Sequence, residues 1–336
     1  MRPGVLLAVL AGIALVVVAA SPAQAASGFS SFIVGNPADV VRQTSGLVVM
    51  QGGGLDVDDN FSAMGAAAGG GDFVVIRFGG TDAYNQYIYD LCACDSVETI
   101  VFKNRNAAFN QTVIDHIQNA EALFIAGGDQ SDYVKTWKDT PIETAINFVA
   151  NKPAAIGGTS AGMAILSQFL YSAMSKASAT SANALANPFH VDVTLDRDFV
   201  SIPALAGLIT DQHLVERDRM GRTVVFLARL VNDGWTATGK AIASDRNTAF
   251  HLDPATGVGT VVSTPGWATP YVYFLRTNGA PQVCQPGVPL SYQNISVYRV
   301  SPGGTFNINT WSGSGGLPYS LSATAGVLSS SNGSIY

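Results

Sequence analysis

From residue 46 onward the chain repeats one unit, a short apolar run followed by a longer stretch of helical character, and most of the runs end in paired glycines. Leu47 to Met50 ends in Gln51-Gly52-Gly53-Gly54, Phe73 to Phe78 in Gly79-Gly80, Ala122 to Ala126 in Gly127-Gly128, and Ala154 to Ile156 in Gly157-Gly158; Thr99 to Phe102 is a fifth run. Strands that alternate with crossover helices build a parallel sheet with helices on both faces, and the glycines mark where each strand delivers the chain to the ligand-bearing edge. The intervening stretches 60–68, 84–91, 108–120 and 142–151 carry helical periodicity. Val113, Ile114, Ile117 and Ala120 form one stripe, and Ile142, Ala145, Ile146 and Val149 another, both read as core. The expected fold class is α/β, a doubly wound, mostly parallel sheet sandwiched by helices. Past residue 255 the texture turns to β-branched and aromatic runs such as Tyr271-Val272-Tyr273-Phe274, so a β-rich C-terminal part follows, extending the sheet or flanking it.

The first 25 residues read as a secretory signal peptide. Arg2 is basic, Val5 to Ala20 is unbroken apolar sequence, and Ala23-Gln24-Ala25 has the small-x-small form of a cleavage site. The expected organisation is a signal peptide over 1–25, an α/β hydrolytic domain over 26–265 and a β-rich extension over 266–336 packed on the same domain. An exported, extracellular or periplasmic protein follows, with no membrane contact after processing. A net charge of −6 with 12% charged residues argues against nucleic acid, which calls for a basic surface. Of the three cysteines, a bridge from Cys92 or Cys94 to Cys284 is expected, leaving one thiol. No dinucleotide fingerprint, phosphate loop or His-Cys cluster is present, so neither cofactor nor metal is expected. Asp56, Asp58 and Asp59 lack a calcium-loop pattern and read as the start of a helix. Homodimerisation stays open.

Gly158-Thr159-Ser160-Ala161-Gly162 stands between the strand ending at Ile156 and an apolar stretch, Ala161 to Phe169, that reads as a helix. In that context the glycines permit a tight reversal that lifts the serine hydroxyl above the sheet, which makes Ser160 the candidate nucleophile. The base must come from His116, His190, His213 or His251. His213 ends Thr210-Asp211-Gln212-His213, just after an apolar run, and is the expected base, with His251 the alternative. Donors for an oxyanion are expected from the N–H groups of Ala161 and Gly128.

Phe124 to Gln130, Gly157 to Gly162, and Thr210 to His213 with Arg217, Arg219 and Arg222 together resemble the cyanophycinases, of the serine peptidase family that also includes aspartyl dipeptidase. The likeness runs from about Val49 to Thr248. It implies a fold like that of class I glutamine amidotransferases and hydrolysis of cyanophycin, a polyaspartate bearing arginine on each β-carboxyl, to β-Asp-Arg dipeptides. It also implies that Ser160 is nucleophile, His213 is base, and Gln130, Asp211, Gln212, Arg217, Arg219 and Arg222 line the pocket. Guanidinium groups suit a substrate with free carboxylates. On an ideal helix Arg219 and Arg222 would share a face without Arg217, so convergence of all three needs a loop or a helix start.

The resemblance implies a glutamate where this chain has Arg246, in Asp245-Arg246-Asn247-Thr248-Ala249. Either Asp245 takes over as the third catalytic residue, which is the expected arrangement, or the Ser160–His213 pair works without a carboxylate, or specificity is altered. Three other readings remain: a peptidase for other aspartyl or isoaspartyl peptides, a non-cutting homologue that binds acidic polymer, and an α/β-hydrolase esterase relying on His251.

Overall fold

The computed structural model describes residues 28–175 and 177–336. The leader expected over 1–25 lies outside them. An edge strand β1 (Phe29–Gly35) precedes β2 (Leu47–Gln51), α1 (Asp58–Ala67), β3 (Asp72–Phe78), α2 (Asn85–Cys92), β4 (Ser96–Phe102), α3 (Gln111–Asn119), β5 (Ala122–Ile125), α4 (Gln130–Trp137), α5 (Pro141–Asn151), β6 (Ala155–Thr159) and the single turn α6 (Ala161–Ala164). Then come β7 (Phe169–Tyr171), α7 (Ser181–Ala186), β8 (Leu195–Arg197), β9 (Leu208–Gln212), α8 (Met220–Asn232), β10 (Lys240–Ser244), β11 (Thr248–Leu252), β12 (Val258–Ser263), β13 (Val272–Arg276), β14 (Tyr292–Asn307), β15 (Ser312–Thr324) and β16 (Val327–Ser330).

Local chemistry sets these elements. Asn110 accepts from Val113 N to cap α3, Asp129 accepts from Ser131 N to cap α4, and Thr140 accepts from Ile142 N while Pro141 opens α5. The stripes Val113, Ile114, Ile117 and Ile142, Ala145, Ile146, Val149 are buried. Along the parallel strands, alternate residues face opposite helical layers. Val48, Val74 and Leu123 meet α3 and α5, while Val49, Phe73 and Phe124 meet α1 and α2.

The expectation of a mostly parallel sheet needs correction. Strands β4-β3-β5-β6-β2 are parallel, as are β10-β9-β7, but the path β2-β11-β12-β14-β13-β10 between them is antiparallel throughout. The reason is the C-terminal sequence. Its short connections make hairpins, and β14 slots between β12 and β13, so residues beyond 266 lie within the main sheet. One face of these strands, with Tyr273, Ile295, Val297 and Leu321, packs on α8. That helix is buried nearly all round. The antiparallel path also turns back on itself, for Ser244 Oγ at the end of β10 donates to Met50 O on β2.

Two further expectations fail. The stretch 161–169 is helical for one turn only before β7 begins. The disulfide joins Cys92 to Cys94, and Cys284 is free and buried. Ala93 takes a left-handed backbone, φ 50°, which brings the two Cα atoms within 5.2 Å, whereas Cys284 belongs to the core around α8.

Phe61, fully buried on α1, meets the rings of Phe73, Tyr84, Tyr87 and Phe124 edge-on. Phe61→Ala is expected to lower stability by about 3–5 kcal/mol, read from denaturant unfolding. A loss under about 1 kcal/mol would show that the aromatic cluster contributes little.

Candidate active site

The carboxyl ends of β2, β5, β6, β9 and β10 converge, and their first loop residues make the site. Ser160 follows β6 with φ 51° and ψ −114°, a strained conformation for a residue with a side chain. The turn closes around its glycines: a Cβ on Gly158 would come 2.6 Å from the Gly162 carbonyl carbon, and one on Gly162 would run into the Ile125 carbonyl. His213 follows β9, also with a positive φ of 51°. Its Nε2 lies 2.9 Å from Ser160 Oγ.

Both residues hang from the end of β2. Ser160 N donates to Gln51 O at 3.1 Å and His213 N to Gly52 O at 2.9 Å. Gly53, at φ 95°, lies flat against the imidazole, and a Cβ there would enter the ring at Nε2. The triple glycine after β2 is thus a seat for His213.

The carboxylate partner of His213 is not Asp245. His213 Nδ1 lies 2.7 Å from Glu216 Oε2, three residues further along the loop. Asp245 is fully buried, and its oxygens accept from Val215 N, Glu216 N and Thr269 Oγ1. It fixes the loop that carries Glu216. Arg246 completes the arrangement: its Nη1 donates to Glu216 Oε1 at 3.1 Å and its guanidinium lies over Trp267. The arginine found where the resemblance implied glutamate is the counter-charge of a glutamate supplied by another loop.

The field around His213 is mixed. Burial, then Arg217 and Arg219, lower its pKa, while the hydrogen bond to Glu216 opposes them. Burial pushes the Glu216 carboxyl up, but His213, Arg246 and Arg217 outweigh it and hold it below the usual range.

Beside Ser160 opens a cleft of about 220 Å³, lined by Gly128, Gln130, Gln212, Arg217 and Arg219 among others. Arg217 and Arg219 stand on the loop before α8, which lets both face it. Arg219 Nη1 donates to Gln212 O at 2.9 Å, and burial lowers its pKa to about 9, so it stays charged at neutral pH. Gln130, in the first turn of α4, donates to Tyr171 O.

Asp211 and Arg222 do not line the cleft, and here the sequence expectation is corrected. One turn into α8, Arg222 points into the core, where Nε and Nη2 grip both oxygens of Asp211 and Tyr171 and Phe226 flank the guanidinium. Nη1 reaches Ser178 Oγ and Ala179 O, so this pair braces the cleft wall from behind.

Gly128 and Ala161 lie beside Ser160. Gly128 lines the cleft, and Ala161 opens α6, where helical N–H groups have no partner within the helix. A Cβ on Gly127 would sit 3.5 Å from Ser160 Cβ. Tyr133 Oη lies 2.8 Å from Ala126 O and 3.1 Å from Gly127 O, fixing that turn.

The other histidines are engaged elsewhere. His251 bonds Asn60 Oδ1 with its pKa lowered to about 4 by burial, His116 pairs with Glu98, and His190 with Asp192. Among the described residues no group of three His, Cys, Asp or Glu side chains converges as a metal site requires.

No protein-family model matches the chain. A cyanophycinase from Geminocystis herdmanii (strain PCC 6308) is 26% identical over 200 residues, covering 58% of this chain and 65% of that protein, so the match spans less than two thirds of the relative. A crystal structure of a peptidase from an acI-B1 Actinobacterium aligns at a TM-score of 0.49 and 14% identity, covering 78% of this chain and 97% of that one.

Two outcomes are expected. By NMR titration the His213 imidazole should protonate below the ordinary value near 6.5; Arg217→Gln should raise its pKa by removing a like charge, and Glu216→Gln should lower it further. An unshifted parent value, or both variants moving it the same way, contradicts this balance. Gly53→Ala, which displaces the ring, should cost about 100-fold in turnover while the fold persists.

Proposed function

We propose that this chain is a serine peptidase that hydrolyses acidic aspartyl peptides of the cyanophycin type, releasing β-Asp-Arg. The observation that carries the reading is the continuous chain Ser160 Oγ, His213 Nε2, His213 Nδ1 and Glu216 Oε2, with contacts of 2.9 and 2.7 Å. Such a chain lets the imidazole take the hydroxyl proton while the carboxylate, itself staying ionised, orients the ring.

Ser160 Oγ attacks the scissile carbonyl as His213 Nε2 takes its proton. The oxyanion meets the N–H groups of Ala161 and Gly128. His213 then returns the proton to the leaving amine, and water attacks the acyl-enzyme by the same route. Glu216 keeps the proton on Nδ1 and stabilises the imidazolium that forms. A lowered pKa suits the base, because a larger fraction of it is neutral and ready to accept.

The substrate class is supported by Arg217 and Arg219 beside the nucleophile, since guanidinium groups recognise carboxylates. The distant similarity to a cyanophycinase supports it as well. The leader sequence supports export. The engagement of Arg246 by Glu216 favours a working enzyme over a non-cutting binder, because the carboxylate that Arg246 replaces is supplied from elsewhere.

The test is release of β-Asp-Arg from cyanophycin by the purified protein and two variants. Ser160→Ala is expected to lose about 10⁶ in turnover and Glu216→Gln about 10²–10⁴. Folded parent protein that releases nothing, or a Ser160→Ala protein as active as the parent, would end this reading.

A further inference from the structure

Arg77, penultimate in β3, is a half-buried arginine without a carboxylate partner. Arg222, Arg229 and Arg246 each have a carboxylate partner. The Arg77 guanidinium has no hydrogen bond or ion pair among the described residues, and its Nε is shut off from solvent without a partner. A guanidinium N–H left in that state is costly unless something else completes it.

Its position is held. The guanidinium lies 5.8 Å from the Tyr84 ring centroid, and it rests on Gly80, at φ 95°, where a Cβ would collide with it. The nearby acid makes no contact with it, although the two charges attract at a distance. Asp56 accepts from Tyr84 Oη at 3.4 Å, forms no ion pair with Arg77, and has its carboxyl pushed up to about 6 by burial.

The position is also close to the chemistry. Ala126 N donates to Ile76 O, which sets Arg77 level with the Gly127-Gly128 turn at Ser160. Two strand spacings, β3 to β5 to β6, put its backbone roughly 10 Å from the nucleophile, the span of about three extended residues. It does not line the cleft of Arg217 and Arg219 but stands across that turn from it.

We propose that Arg77 is a second carboxylate-binding subsite, which grips an acidic group of an extended substrate chain about three residues from the bond that is cut. The inference rests on the acidic-peptide reading above. With one arginine site on each side of Ser160, a long acidic chain is held at two points and a short one at one.

Calorimetry on the inactive Ser160→Ala protein tests it, with aspartate oligomers of about six and about two residues as ligands. Adding Arg77→Gln should weaken the longer oligomer about tenfold and leave the shorter unchanged, as expected for loss of a charge-assisted contact. Arg77→Lys keeps the charge but not the fork, should lose less, and decides the matter if glutamine disturbs the loop. An unchanged affinity for the longer oligomer, or equal losses for both lengths, overturns the subsite. If Ser160→Ala binds neither oligomer, the acidic-substrate reading falls and this one with it; binding that ignores Arg77 removes only the subsite.

Discussion

Consecutive carbonyls at the end of β2 hold Ser160, His213 and the turn beside Arg246. Gln51 O takes Ser160 N, Gly52 O takes His213 N, and Gly53 O takes Asn247 N at 2.7 Å. Ser160 and His213 both sit at φ 51°, a backbone that costs an L-residue about 1–2 kcal/mol each. A backbone hydrogen bond contributes about 1 kcal/mol net, so these contacts offset a good part of that strain and hold two loops from different strands in register. The triple glycine is what allows it. A side chain at Gly52 would strike the Asp245 carbonyl, one at Gly53 the imidazole, and one at Gly54 the Asn247 amide. The curl of the antiparallel path serves the same end, because it carries the end of β10, and with it Asp245 and Arg246, back to β2.

The parts legible in the sequence were those written locally. A run such as Phe73 to Phe78 closed by Gly79-Gly80 identifies a strand and its exit, and the elbow around Ser160 is a contiguous pattern. His213 was legible because it directly follows a strand. Glu216 was not, although it lies three residues from the base. Those residues are not helical, so spacing alone gives no reason for them to face each other, and their contact depends on Asp245 gripping the N–H groups of Val215 and Glu216. Asp245 was singled out as the catalytic acid because it neighbours Arg246, and it works instead one step removed. The arginines illustrate the same limit. Arg217, Arg219 and Arg222 look equivalent in sequence, yet the start of α8 sends two to the cleft and one into the core.

Parallel character was overestimated for a related reason. Strands β2 to β6 alternate with helices and so report their own direction, whereas β11 to β16 follow one another without helices and β13 to β15 find their place by long-range packing on α8. The cysteines follow suit: nothing in Cys92-Ala93-Cys94 announces the left-handed Ala93 at which the two side chains meet.

Under the proposed function, the electrostatics of the cleft bind recognition to catalysis. Arg217 and Arg219 provide the positive field an acidic chain needs, and the same field lowers the pKa of His213 by disfavouring the imidazolium. Glu216 opposes that effect, and Arg246 in turn holds Glu216 ionised. Under the proposed reading, substrate carboxylates entering the cleft would neutralise part of the arginine field just where the imidazolium must form. The base would then be more proton-accepting in the complex than in the free protein, so the groups that select an acidic substrate also make reaction depend on having one in place. An isolated Ser160–His213 pair with no arginines nearby would lack that dependence.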